Sequence, residues 1–326
     1  MDLLDGAEFA ACVEDYDRAV ASDTEIDAFC SRGAWVSSFH EAFRAHAELR
    51  ITRDGGSFVA LAAVDEPRVG LVLEALESMW GFASPLVGPE SAELLGRSLE
   101  ASAARGERLP LLLSGVPVAG ARLEAVIRVL ARRFALRPLS IRVRFQASLE
   151  GGADGWLARR RAKFRRNLRA ARRRTRAAGV VFESMSPGDA PTALALYERV
   201  LAIERRSWKA ATGNGVDHGP MRDFYARMLP RLAVRGDLRV LIAQRDGADL
   251  GYLYGGTSGA LFRGLQFSFT DEARALGLGH ALQAEMIERL CAEGALVYDL
   301  GSESAYKRHW AEPGLTTTGL LARPRD

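Results

Sequence analysis

Cysteine is scarce in this chain, and the few present do not group. Cys12, Cys30 and Cys291 are the only three in 326 residues, and they lie without metal-type spacing. That excludes a disulfide framework and a thiolate metal site, and implies the reduced thiols of a cytoplasmic protein. The five histidines (His40, His46, His218, His280 and His309) form no H-x-x-x-H or H-E-x-x-H pair, so no metal is expected. No apolar run approaches the ~18 residues that suggest a membrane span. The opening residues, MDLLDGAEFAACVEDYD, are acidic and lack the basic start of a secretory signal. A cytoplasmic location is therefore expected.

Two common phosphate-binding signatures are also missing. There is no G-x-x-x-x-G-K-[ST], and no G-x-G-x-x-G followed by an acid ~20 residues later. Acids themselves are missing from one stretch. Trp156 to Gly179 holds ten Arg, one Lys and no acid; removing those 11 from the 44 Lys and Arg leaves 33 against 41 acids. One segment thus carries the basic character of a chain whose net charge is only +3. Apolar residues at Leu157, Phe164, Leu168 and Ala171 make it a docked helix with a broad cationic face. Such a face is either solvated, at a cost of ~0.2–0.5 kcal/mol per like-charged i,i+4 pair, or a platform for an anion. The anion would be an acyl carrier protein, an anionic lipid surface or the phosphates of a ligand.

What the chain does carry is a glycine turn, Arg274-Ala275-Leu276-Gly277-Leu278-Gly279. Before it, Leu261 to Phe269 reads as a buried strand; after it, Leu278, Leu282, Met286 and Leu290 share one helical face. Glycines let the backbone approach a ligand closely. The first N–H groups of the helix have no partner inside it and would meet a pyrophosphate, helped by the helix dipole and by Arg274. Elsewhere Asp54-Gly55-Gly56 and Arg245-Asp246-Gly247-Ala248 mark hairpins. Met79 to Pro89 reads as a loop. Helix–strand units are expected at Ser91–Gly106 with Leu109–Ser114, and at Ala119–Phe134 with Leu139–Gln146. Gly151-Gly152-Ala153-Asp154-Gly155 marks a break between two halves.

The turn resembles the [Q/R]-x-x-G-x-[G/A] signature of GNAT-type N-acyltransferases. Further on, a strand (Ala295 to Leu300) precedes Gly301-Ser302-Glu303-Ser304-Ala305-Tyr306-Lys307-Arg308-His309-Trp310. That run is similar to the D-x-G-x-x-x-x-Y-K-x-x-W ending of the FemAB-like, CelD/BioF2-type acetyltransferase branch of GNAT folds. Lys163-Phe164-Arg165-Arg166-Asn167-Leu168-Arg169 matches an Arg-rich stretch of the same branch. The resemblance implies an α/β (α+β) fold of two GNAT-like halves, each a mixed, mostly antiparallel sheet flanked by helices. Residues 1–150 would form a half lacking the CoA turn, and 151–326 the catalytic domain.

Acetyl-CoA or a longer acyl-CoA is then the implied donor, and the acceptor an amine of a small molecule, peptide or saccharide. The alternatives are a Fem-like transferase using aminoacyl-tRNA, in which the basic helix holds the tRNA, and a non-catalytic acyl-binding module. The intact turn favours CoA, and the basic stretch lacks base-stacking aromatics.

The resemblance also implies roles for single residues. Pantetheine would run between two splayed strands, Leu261 to Phe269 and Ala295 to Leu300, with the backbone of Phe267 and Ser268 meeting the acyl carbonyl. Arg274, Leu276, Gly277, Leu278, Gly279 and His280 would surround the pyrophosphate. Tyr306 either protonates the leaving thiolate or packs under the CoA with its hydroxyl on a carbonyl. Lys307 would hold a phosphate or a substrate carboxylate. Glu303, or Asp299 in competition with it, would be the base. Glu204 to Lys209 resembles an h-R-R-R-W element facing the acceptor, which implicates Arg205 and Trp208, with Gln266 nearby.

Overall fold

The computed structural model describes residues 1–325 apart from Arg68, Trp208, Ala211, Thr212 and Asn214. The chain opens with β1 (Asp2–Leu4), α1 (Gly6–Ala11), α2 (Val13–Ser22) and α3 (Gly33–Phe43). Then come β2 (Glu48–Asp54), β3 (Ser57–Glu66), β4 (Gly70–Ala75), β5 (Leu86–Val87) and α4 (Ser91–Ala104). β6 (Leu111–Pro117), α5 (Arg122–Leu130), β7 (Phe134–Pro138) and β8 (Arg142–Ser148) follow. Next are α6 (Gly152–Ala158), α7 (Ala162–Ala177), β9 (Val181–Met185), α8 (Ala190–Glu204) and α9 (Gly219–Val234). The chain closes with β10 (Leu238–Arg245), β11 (Ala248–Ser258), β12 (Leu261–Phe269), α10 (Leu278–Ala292), β13 (Val297–Ser302) and β14 (Glu312–Pro324).

These elements form two compact units, residues 1–143 with 315–326, and residues 144–314. The first unit's sheet runs β1-β2-β3-β4-β6-β14, with β5 on β3 and β7 on β14. The second unit's sheet runs β9-β10-β11-β12-β13-β8. Each is antiparallel except for one parallel pair, β4 with β6 and β12 with β13. Each of those pairs is joined across a helix, α4 or α10, as a parallel connection requires. The two units therefore repeat one strand plan.

In the first unit, Leu94 and Leu95 of α4 pack on Leu111 and Leu113 of β6, Val126 and Leu130 of α5, and Leu320 of β14. Both expected hairpins close through two-residue turns, Asp54 pairing with Ser57 and Arg245 with Ala248. In the second, Asp246 and Gly247 both take positive φ, as a primed turn needs. Asp189 caps α8 by accepting the Thr192 N–H at 2.8 Å.

Four expectations differ from the fold. The division expected at 150/151 falls at Val143/Arg144, and the C-terminal strand returns to the first unit because it hydrogen-bonds β6 and β7. The helix expected over Ala119–Phe134 stops at Leu130, and Phe134–Pro138 is already a strand. β4, which no periodicity announced, supplies half of the first parallel pair. The basic stretch is two helices, because Arg161 is extended and starts α7 afresh.

Candidate active site

The second unit opens at one place. β12 pairs with β13 only from Leu261 to Arg263, against Val297 to Asp299. Beyond that the two strands part. A bulge marks the point: Tyr254 faces Gln266 while Gly255 faces Gly264, leaving Leu265 extra on β12. From Gly264 to Phe269 the open edge of β12 has no strand partner among the described residues. A pocket of 170 Å³ fills the gap, lined by Lys209, Gln266, Phe267, Tyr298, Tyr306 and Lys307 among others.

The glycine turn stands beside this gap. Gly277 has φ +72 and serves as N-cap of α10, and no side chain caps that helix. A Cβ at Gly277 would sit 2.9 Å from Arg174 Nη2 and 3.0 Å from Ala171 Cβ, so α7 presses a guanidinium against the turn. Gly279 lies against the rings of Phe269 and Phe267, where a Cβ would come within 2.7 Å of the former. His280 follows, its ring 6.0 Å from that of Tyr306. Burial first, then the neighbouring His309 ring and the Arg174 guanidinium, lower the His280 pKa.

The polar groups of the pocket are held in unusual states. Tyr306 stacks on Phe267 at 5.7 Å, and its hydroxyl is buried with no hydrogen-bond partner among the described residues. Burial, then Tyr298, raise its pKa well above the ordinary phenol value. Lys307 donates from Nζ to the Ser302 carbonyl at 2.8 Å. Burial and the Arg263 guanidinium bring its pKa down to about 8, with Asp299 pulling the other way. Lys209 donates to the Phe267 carbonyl at 2.8 Å and to Gln266 Oε1 at 3.1 Å, and burial lowers its pKa despite Glu204 at 3.8 Å. Gln266 donates onward to the Tyr225 hydroxyl at 3.1 Å.

Beneath the pocket lies a buried ion cluster. Asp299, fully buried, pairs with Arg144 and with Arg263 at 2.6 Å, and accepts from Gln146 at 2.9 Å and the Gly301 N–H at 2.7 Å. Burial alone would raise its pKa; the two guanidiniums outweigh that and hold it low. Gly301 is at φ +82 against the Arg263 guanidinium, which leaves no room for a Cβ. The D-x-G of the motif therefore builds the cluster. Trp310, at the motif's end, stacks on Trp156 at 5.6 Å, and the Trp156 indole donates to its carbonyl at 3.1 Å. That contact docks α6 onto the segment after β13.

Phe267, Tyr306, Lys307 and Gln266 thus come together in the gap, with Gly277, Leu278, Gly279 and His280 alongside. Ser268 is buried, its hydroxyl without a partner among the described residues, while Leu276 ends the turn before Gly277. Four expected positions stand differently. Arg274 is exposed and pairs with Asp271 at 2.8 Å, so Arg174 is the cation against the glycines. Glu303 is exposed, paired with Arg308, and lines an outer groove instead of the pocket. Asp299 has its oxygens committed within the ion cluster. Arg205 is exposed and lines no part of the pocket. Trp208 lies outside the described residues.

Sequence reasoning missed Lys209, Arg174 and Tyr225. For Lys209 the signal was its place at the end of the quoted Glu204–Lys209 run. Arg174 had no separate signal among ten arginines.

Residues 162–308 match the family model of an acetyltransferase (GNAT) domain. The structure of FemX matches with TM-score 0.64 at 14% identity, over 94% of this chain and 95% of that one. The match to the GNAT domain model thus spans the glycine turn and most of the second unit, and the likeness to FemX is one of fold. A conserved protein of unknown function from Bacteroides thetaiotaomicron has TM-score 0.65 at 12% identity, over 99% of this chain and all of that one. The C-terminal domain of a putative lysylphosphatidylglycerol synthetase from Agrobacterium fabrum follows at 0.57 and 13%, over 97% and 93%. At these identities the likeness is one of fold. No curated protein matches the chain. No helix among the described residues is long and apolar enough to cross a membrane.

Proposed function

We propose that the second unit is an acyl-CoA-dependent N-acyltransferase, moving an acetyl or longer acyl group to an amine of a small molecule, peptide or saccharide. The observation that carries the reading is the gap between β12 and β13, with an unpartnered phenol inside it and an uncapped helix start beside it. The residues fit such a donor. A Gly277 without Cβ, the free first turn of α10 and the Arg174 guanidinium suit a pyrophosphate, and the open edge of β12 suits an extended amide chain. His280 lies at the same helix start, and Ser268 on the strand.

When bound, acyl-CoA supplies a thioester whose C–S bond is exchanged for a C–N bond to the amine. Lys307, part neutral near pH 8, accepts the proton that the attacking nitrogen loses. Tyr306, kept protonated by burial, gives its proton to the departing sulfur and regains one from solvent. Lys209 and Gln266 face the acceptor from the side of α8 and α9. Glu303, beside the outer groove, belongs to the approach and not to the proton path.

A second reading, the aminoacyl-tRNA-dependent transferase, is favoured by α7, where exposed Arg166, Arg169, Arg173 and Arg176 have no acidic partner among the described residues. Titration calorimetry separates the two. Acetyl-CoA should bind the wild type, and Arg174→Ala should weaken it by about tenfold, the worth of one charge-assisted contact. A wild type that ignores acetyl-CoA but retains tRNA on purification would replace the first reading by the second.

A further inference from the structure

The first unit holds a cavity of 590 Å³. Its floor is Leu61, Leu73, Leu99, Leu109 and Phe134, an extension of the unit's core. Its rim carries Arg50, Arg105, Arg108, Arg132, Arg133 and Arg325 against a single acid, Glu107. Glu107 is already engaged by Arg50 at 3.5 Å and Arg105 at 3.9 Å. Arg108 and Arg132 have no acidic partner among the described residues, and Arg50 Nε is buried without an acceptor. Arg105, Arg132 and Arg133 follow the ends of α4 and α5, where helix dipoles favour cations. That does not account for Arg108, in a loop, or for the buried Nε of Arg50, on strand β2. Arg50 also pairs with Glu48 at 3.1 Å and Arg133 with Glu100 at 3.2 Å, which leaves Arg108 and Arg132 as uncompensated cations beside an apolar bowl, where an anion is attracted.

We infer that this cavity binds a single-chain fatty carboxylate, its aliphatic tail on the leucine floor and its head between Arg50, Arg108 and Arg132. The volume lies in the ordinary range for a small-molecule site. The Arg fork matches a carboxylate bidentately. The site is independent of the acyl-transfer reading, since it uses no residue of the second unit.

The test is titration calorimetry of the full chain with laurate, decanoate, dodecanol and dodecyl phosphate. Laurate should bind, decanoate more weakly by roughly two- to fourfold per methylene removed, and dodecanol at least tenfold more weakly than laurate. The Arg108→Glu/Arg132→Glu variant changes two exposed side chains, so it should keep its circular dichroism spectrum and lose laurate binding by more than tenfold. Leu99→Trp, filling the bowl, gives an independent loss if it folds. Equal affinity for dodecanol, an unaffected double variant, or no laurate binding would overturn the proposal. Dodecyl phosphate binding tenfold tighter than laurate would overturn the carboxylate assignment.

Discussion

Tyr306 and Lys307 are neighbours with opposite tasks, and burial sets both. Burial, then Tyr298, penalise an anion on Tyr306, so the phenol stays protonated and can only give. Lys307 gives up its proton more readily than an ordinary lysine because its ammonium is desolvated and faces Arg263, and once neutral it can accept. The pH profile should therefore belong to the lysine: kcat/KM should rise with pH through about 8. Lys307→Met should abolish that limb, and Lys307→Arg should not restore it, because a guanidinium never gives up its charge. Full activity in the arginine variant would make Lys307 a holder of phosphate or carboxylate instead of a base. Tyr306→Phe should lower kcat by ~10²–10⁴ while leaving both the limb and the acyl-CoA KM in place. A loss under about threefold would return Tyr306 to packing.

The turn before α10 shows what a sequence gives away at the level of elements. Its glycines, its flanking strand and its helix were readable, because each depends on local spacing and on apolar periodicity. The partner of those glycines was not: Arg174 is one of ten arginines in a short run, and only the packing of α7 on α10 selects it. The same holds for Asp299, where the motif named the residue but Arg144, Arg263 and Gln146 come from other strands and convert a suspected base into a buried anchor. Gly277 separates strain from ligand approach. At φ +72, Gly277→Val should cost about 1–2 kcal/mol for a left-handed β-branched residue. Gly277→Asn, which tolerates that conformation, should recover most of the thermal stability in calorimetry. Acetyl-CoA affinity should fall in both variants, because either side chain crowds Arg174. An asparagine variant with wild-type affinity would place the pyrophosphate elsewhere.

At the scale of the whole chain, the two repeated strand plans differ in a dependence that no short motif encodes. Only the first unit's order ends in a strand taken from outside its own run of sequence, β14; the second unit, residues 144–314, is continuous and opens with its end strand β8. Nothing in β14 marks it as belonging to the N-terminal unit, since its alternating residues would suit either sheet edge. Its register decides. Thr317 and Thr318 pair with Pro117 and Val116, Leu320 to Ala322 with Leu113 to Leu111, and the same segment carries β7 on its other side. Leu320 and Ala322 are buried in the core of α4, α5 and β6. Removing residues 315–326 should therefore leave β6 with a bare edge, detach β7 and open that core, and a buried leucine alone is worth about 1.5–3 kcal/mol. Hydrogen exchange should accelerate first over Leu111–Pro117 and Phe134–Pro138, before the amides of β10 to β12 respond. Leu320→Ala, at about 2–5 kcal/mol, should reproduce the pattern in milder form with the backbone ladder still present. Unchanged protection of β6 in the truncated chain would mean that the first unit closes without its borrowed strand, and that the shared strand plan is only a likeness of arrangement.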